Sequence, residues 1–208
     1  MIIDLELDTE QLAKCRALGQ HMATLAADPE YQEHGWRAPG RTCVNDLEHV
    51  NKKPWSDVLS IVMANSDIRE LLAALKCENF CGCGGDFVEA GAGDEGFAGE
   101  RNPCDWHQDT KFYLQWFAVS ILTEEVAADQ APMEIKSWGK PDSDVVSKCA
   151  CKPGLCLIRD THATHRGTAN RTARSRPLPT FRLVSGASKK PTCMTMAALL
   201  RHCAQHLL

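Results

Sequence analysis

The chain has 208 residues, 44% of them hydrophobic, and a net charge of −4, which suffices for one substantial buried core and excludes bulk disorder. Eleven cysteines would form a disulfide scaffold only in a much shorter secreted chain, and "MIIDLELDTE" lacks a signal-peptide pattern, so reduced thiols in a cytoplasmic protein are expected. No apolar run approaches the roughly eighteen residues of a membrane span, and no base-stacking aromatics are interleaved with basic residues, so neither membrane nor nucleic acid is an expected partner.

In chain order, a cap at Asp8 or Thr9 opens "TEQLAKCRALGQHMATLAA", where Leu12, Cys15, Leu18, Met22 and Leu25 recur at helical spacing before "DPE". Residues 32–54 are polar and broken by Pro and Gly, so they read as loop. "WSDVLSIVMANSDIRELLAALKC" reads as two short helices meeting at Asn65-Ser66, with Ser66 as the second cap. From Glu78 onward the texture changes to glycine-rich stretches and short apolar runs: "GDFVEAGA", "KFYLQWFAVSIL", "APMEIKSW", "LCLIRD" and "TFRLVSG". Runs of that length bounded by Gly, Pro and Asp predict an antiparallel sandwich or barrel without βαβ alternation. The glycines of "GCGGDFVEAGAGDEGFAG" lack the Lys-Ser/Thr of a phosphate-binding loop and read as turns or a flexible lip. "PTCMTMAALLRHCAQHLL" predicts a closing helix from about Pro191. One domain over 1–208 is therefore expected: a mainly helical 1–77, a β core over 78–185 and a C-terminal helix within 186–208, an α+β class overall.

The chemistry concentrates in two places. "CDWHQDTKFYLQW" carries His107 and Asp109 at i and i+2, which on a strand aims an imidazole and a carboxylate to one side. "RDTHATHRGTANRT" offers two further histidines, His162 and His165, and His165 lies 58 positions after His107 across three strand-like runs. Two histidines and one carboxylate on one face of an octahedron leave three positions free, an arrangement suited to Fe(II) with a bidentate 2-oxo acid and O2. His162 and His165 differ by an odd number and on a regular strand would face opposite ways, so only one of them can join the set. His21, His34, His49, His202 and His206 fall in segments read as helix or loop and are expected at the surface.

"WHQDT" and "LIRDTHATHRGTANRTARSRP" together resemble the two metal motifs of the phytanoyl-CoA dioxygenase family of Fe(II)/2-oxoglutarate oxygenases. "APMEIKSWGK" stands where that family has a Gly-Pro-Leu...Pro-Gly-Ser-His segment, with Lys-Ser-Trp-Gly as a departure. The likeness covers about residues 78 to 185. It implies a double-stranded β-helix, the jelly-roll or cupin-like core, and iron ligands His107, Asp109 and His165. It also implies that Arg176, eleven positions beyond His165, binds the distal carboxylate of 2-oxoglutarate, with Arg174 as the competing candidate. A guanidinium fork matches a carboxylate bidentately, which a lysine cannot do. Thr110 is implied as a further co-substrate contact. The implied cofactor set is Fe(II), 2-oxoglutarate and O2, and the implied reaction is hydroxylation of a small molecule with release of succinate and CO2. Retention of Asp109 disfavours halogenation. Trp106, Phe112, Tyr113 and Trp116 flank the first motif as pocket-lining or core residues.

Two other readings stand beside it. Cys77, Cys81 and Cys83 with Cys149, Cys151 and Cys156 could form a structural zinc site in a binding module, although neither group has regular C-x2-C pairs. An inactive jelly roll serving as an interaction protein is the other. From Lys152 to Leu208 there are ten Lys and Arg against one acid, giving +9 there and −13 elsewhere. That split favours an anionic substrate if the two parts do not simply neutralise each other.

Overall fold

Asp8 starts the first helix by a reciprocal capping box. Its Oδ1 accepts from the Gln11 N–H at 2.8 Å and Gln11 Oε1 accepts from the Asp8 N–H at 3.0 Å. Helix α1 then runs Thr9–Ala27 and buries Cys15, Leu18, Gly19, Met22 and Ala26. This computed structural model describes residues 1–30, 36–75, 77–93, 105–109, 116–136, 146–148 and 152–185. The expected C-terminal helix lies outside them. Helices α2 (Trp55–Ala64) and α3 (Ser66–Ala74) follow as anticipated. The cap of α3 is Asn65, whose Oδ1 accepts from the Ile68 N–H at 3.1 Å, and Ser66 is the first helical residue. Among the described residues no helix is long and apolar enough to cross a membrane.

Among the described residues, ten strands accompany these helices: β1 (Ile2–Asp4), β2 (Trp36–Ala38), β3 (Arg41–Asn45), β4 (Cys77–Val88), β5 (Trp116–Ile121), β6 (Glu134–Lys136), β7 (Val146–Lys148), β8 (Leu155–Asp160), β9 (His165–Arg166) and β10 (Arg176–Ser185). The larger sheet has the order β1-β8-β5-β10-β4-β3-β2 and the smaller one β7-β6-β9, every pair antiparallel. The segment containing His107 extends the smaller sheet through a bridge to His165.

Two segments differ from their sequence reading. The expected loop at 32–54 contains β2 and β3, joined by Pro39-Gly40 with Gly40 at φ +67°, and then a 3-10 turn at Leu47–His49. Pairing with β4 outweighs the weak local preference of a short polar segment. Of the glycines expected in turns, Gly82, Gly84 and Gly85 lie inside β4, whereas Gly91, at φ +70°, is in a turn as expected. A Cβ at Gly84 would sit 2.2 Å from the Val44 carbonyl oxygen, and one at Gly85 (φ +129°) 2.0 Å from that of Leu178. The flanking strands therefore approach β4 too closely for any side chain there.

Strand alternation separates two cores. Phe117, Val119 and Ile121 of β5, Cys156 and Ile158 of β8, and Phe181 and Leu183 of β10 turn toward the helices and pack with Leu18, Met22, Trp55, Val62 and Ile68. Trp55 meets Phe181 edge-on at 5.7 Å. The alternate positions face the smaller sheet, where Leu178 packs with Leu122, Val126 and Met133 and with half-buried Leu155 and Leu157.

One carboxylate ties the helical layer to the sheet. Asp46, 8% exposed, accepts from Trp55 Nε1 at 2.7 Å and lies 3.2 Å from His21 Nε2 and 2.5 Å from His49 Nδ1, while its carbonyl accepts from the Cys83 thiol at 2.8 Å. His21 and His49 reach the surface as expected but are half-buried and held by Asp46. His34, His202 and His206 lie outside the described residues.

Candidate metal centre

His107 and His165 face each other across a two-way backbone pair: each N–H donates to the other's carbonyl at 2.9 Å. Asp109 is held next to them by its N–H donating to the Thr161 carbonyl at 3.0 Å. These links join one short segment to β9 and to the turn before it, and they bring the imidazole and carboxylate groups together. His107, Asp109 and His165 each offer a ligand atom within 4.8 Å of the others, and among the described residues they are the group that does so.

The tautomers suit metal ligation. His107 Nδ1 lies 2.7 Å from the Asp105 carbonyl oxygen and His165 Nδ1 lies 2.9 Å from that of Ala163. A proton on each Nδ1, donated to its carbonyl, leaves each Nε2 with a lone pair, as a metal ligand requires. Both Nε2 atoms approach the same oxygen, Asp109 Oδ1, at 3.3 Å from His165 and 3.9 Å from His107. Two neutral imidazoles and one carboxylate oxygen form a donor set that fits a divalent first-row metal such as Fe(II).

Protonation follows the surroundings. Burial and the neighbouring His165 hold the His107 pKa below its usual value, favouring the neutral ring. Burial opposes ionisation of Asp109, but the Arg159 guanidinium outweighs it and holds the carboxyl well below the usual carboxylate range. Arg159, on the inner face of β8, is 8% exposed and donates from Nη2 to Asp109 Oδ2 at 2.7 Å. Sequence reading assigned it no role, although an arginine within the apolar run "LCLIRD" was a visible anomaly.

Arg176 opens β10, is 3% exposed, and sits in register with Val88 of β4. With Leu122, Val126, Ala131, Pro132, Met133 and Leu178 it lines a small pocket between the sheets. Arg174, its competitor, is exposed, with Nη2 at 3.5 Å from the Glu125 carbonyl oxygen. Asn170, 1% exposed, braces the connection from His165 to Arg176: its Nδ2 donates to the carbonyls of Glu89 at 2.9 Å and Arg174 at 2.8 Å. Arg41 of β3 donates to the Thr168 carbonyl in the same turn. Thr110 lies outside the described residues.

His162 does not join the metal-ligand group. Its Nδ1 is 2.9 Å and its N–H 2.8 Å from Asp160 Oδ1. Residues 161–164 form a turn, so the parity argument applied to a strand that is not there, and the Asp160 contact decides the matter instead. Trp106 is committed elsewhere: Lys136 Nζ and Arg166 Cζ lie over its ring at 4.9 Å and 4.7 Å. Phe112 and Tyr113 lie outside the described residues. Of the cysteines read as zinc ligands, Cys83 and Cys156 are buried in the helix-facing core, where burial pushes both thiols up to about 12. Cys149 and Cys151 lie outside the described residues.

No protein-family model matches the chain, and no curated protein matches it. Solved structures do. The chain is similar to the non-heme alpha-ketoglutarate-dependent epimerase SnoN from nogalamycin biosynthesis, at TM-score 0.62 and 12% identity over 89% of this chain and 76% of that one. It is similar to a prolyl hydroxylase from Trichoplax adhaerens, at TM-score 0.57 and 10% identity over 91% of this chain and 87% of that one. A Pseudomonas putida prolyl-4-hydroxylase gives TM-score 0.56 and 13% identity over 89% of this chain and 91% of that one. At such identities the likeness is one of fold.

Proposed function

We propose that this protein is an Fe(II)/2-oxoglutarate-dependent dioxygenase that hydroxylates a C–H bond of a small molecule. The observation that carries the reading is the convergence of His107 Nε2 and His165 Nε2 on Asp109 Oδ1. The strand order supports it as well. In chain order, β4, the 105–109 segment, β5, β6, β7, β8, β9 and β10 distribute between the two sheets as in a double-stranded β-helix. The similar structures include two prolyl hydroxylases and SnoN, the last also solved with Fe3+ and alpha ketoglutarate. Their names agree with the general kind of reaction. The sequence motifs favour the phytanoyl-CoA dioxygenase branch and hydroxylation over other oxidations.

In this reading His107, Asp109 and His165 hold the iron and leave three coordination positions for other ligands. Bound there, iron would couple O2 and 2-oxoglutarate to oxidation of substrate, so that substrate, O2 and 2-oxoglutarate become hydroxylated substrate, succinate and CO2. Arg176 binds the distal carboxylate of 2-oxoglutarate, its buried fork supplying two parallel donors in surroundings that include Leu122, Met133 and Leu178. Thr110 is a second co-substrate contact carried over from the motif. The apolar lining of that pocket strengthens the ion pair by excluding water. Lys and Arg in the C-terminal part favour an anionic small-molecule substrate, and a cytoplasmic setting suits the free thiols.

The test is anaerobic loading with Fe(II), addition of 2-oxoglutarate and O2, and measurement of succinate. Turnover that needs both Fe(II) and 2-oxoglutarate, and is abolished by Asp109→Ala, is expected. Wild-type protein that binds Fe(II) but forms no succinate with 2-oxoglutarate under any substrate mixture would sink the reading.

A further inference from the structure

A carboxylate has two equivalent oxygens, and rotation about its last bond exchanges them at little cost. In this protein the two oxygens of Asp109 have different surroundings. Oδ1 is the atom approached by both imidazoles, at 3.3 Å from His165 Nε2 and 3.9 Å from His107 Nε2. Oδ2 is turned away from them and accepts from Arg159 Nη2 at 2.7 Å. Its Nη1 also lies 3.2 Å from His165 Nδ1, a packing contact between two donors, because that Nδ1 gives its proton to the Ala163 carbonyl.

Arg159 is itself well placed to act as a fixed point. It lies within β8 opposite Ala118 of β5, and its side chain is 7% exposed. The charge-assisted bond to Asp109 neutralises a charge that burial would otherwise penalise, so breaking it is unfavourable for both partners. A lysine there would offer a point charge on a flexible stem and would not fix the direction of the bond to Oδ2 as the planar fork does.

We infer that Arg159 is a positioning residue that holds Oδ2 of Asp109 and thereby presents Oδ1 alone to the metal. This rests on the iron-site reading above and deepens it. If the carboxylate swung to offer both oxygens, it would occupy two positions and leave only two, too few for a bidentate 2-oxo acid together with O2. Arg159 thus keeps three positions open without touching substrate or metal.

The experiment uses Co(II) as a spectroscopic probe on wild-type protein, Arg159→Met and Arg159→Lys, each checked for folding by circular dichroism. Wild type should bind Co(II) and change its visible spectrum again when 2-oxoglutarate is added. Arg159→Met should bind Co(II) at least about tenfold more weakly, show a different spectrum before 2-oxoglutarate, and respond to 2-oxoglutarate only at higher concentration. Arg159→Lys should recover part of the affinity. A folded Arg159→Met with wild-type Co(II) affinity, spectrum and 2-oxoglutarate response overturns the inference while leaving the iron-site reading intact. Wild-type protein that binds neither Co(II) nor Fe(II) takes both down. If Arg159→Met does not fold, infrared spectra of wild-type protein with carboxyl-labelled aspartate decide. A wide splitting of the carboxylate bands on Co(II) binding marks one-oxygen ligation and supports the role; a narrow, chelate-type splitting overturns it.

Discussion

His107 and His165 exchange backbone hydrogen bonds in both directions at 2.9 Å, and their rings lie 4.4 Å apart. The backbone pair sets the two side chains beside each other, so the candidate centre is assembled by the fold itself. Replacing His165 by Ala should leave the backbone pair in place, since main-chain atoms make it. Metal titration is expected to show at least about a hundredfold weaker Fe(II) or Co(II) binding, with little change in circular dichroism.

Arg176 is expected to govern co-substrate affinity more than metal affinity. Arg176→Lys should raise the 2-oxoglutarate requirement roughly tenfold or more, because one point donor replaces a bidentate fork. Metal-dependent succinate formation across a 2-oxoglutarate series gives the answer, and an unchanged KM would reassign the co-substrate site.

Asp109 makes a contribution to stability with a definite sign. Its folded pKa is depressed below the ordinary 3.8, so the stabilisation is present above that value and is lost as pH falls toward the folded pKa. The metal-free stability difference between wild type and Asp109→Asn should therefore be constant above about pH 5 and shrink below about 4. Denaturant titrations at several pH values measure it. Because the Asp109 side chain is 39% exposed, solvent screening reduces the size of this contribution.

Asp46 accepts from Trp55 and pairs with His21 and His49, all remote from the metal group in sequence and on the helical side of the larger sheet. Asp46→Ala should cost about 3 kcal/mol, from the lost charged hydrogen bonds and an unsatisfied buried indole N–H. Metal affinity at the folded fraction should stay at the wild-type level, which separates stability from site geometry.

Gly85→Ala is expected to be among the most damaging small substitutions. The added methyl would meet the Leu178 carbonyl at 2.0 Å on a backbone at φ +129°, a combination worth about 2–3 kcal/mol or more. Thermal denaturation of the variant would show it, and a wild-type melting temperature would contradict the close approach of β4 and β10.

Much of the fold and of the candidate centre was legible in local patterns. The capping box at Asp8 and the stripe of Cys15, Leu18 and Met22 specify α1 through contacts within a few residues, so periodicity alone reveals it. The residue types at His107, Asp109 and His165 likewise announce a possible metal chemistry. Tertiary structure decided the rest because the relevant partners are far apart in the chain. Gly84 and Gly85 look like turn residues until β3 and β10 close on them, and Arg41–Asn45 becomes a strand only against β4. His162 is set aside by Asp160 in a turn that strand parity did not foresee. Arg159 reads as one basic residue in an apolar run, and only folding brings it to Asp109, 50 positions earlier. The sequence by itself determined which donors are available and which helices form; sheet pairing determined which donors meet, because hydrogen bonds between distant strands carry no signature in any local stretch.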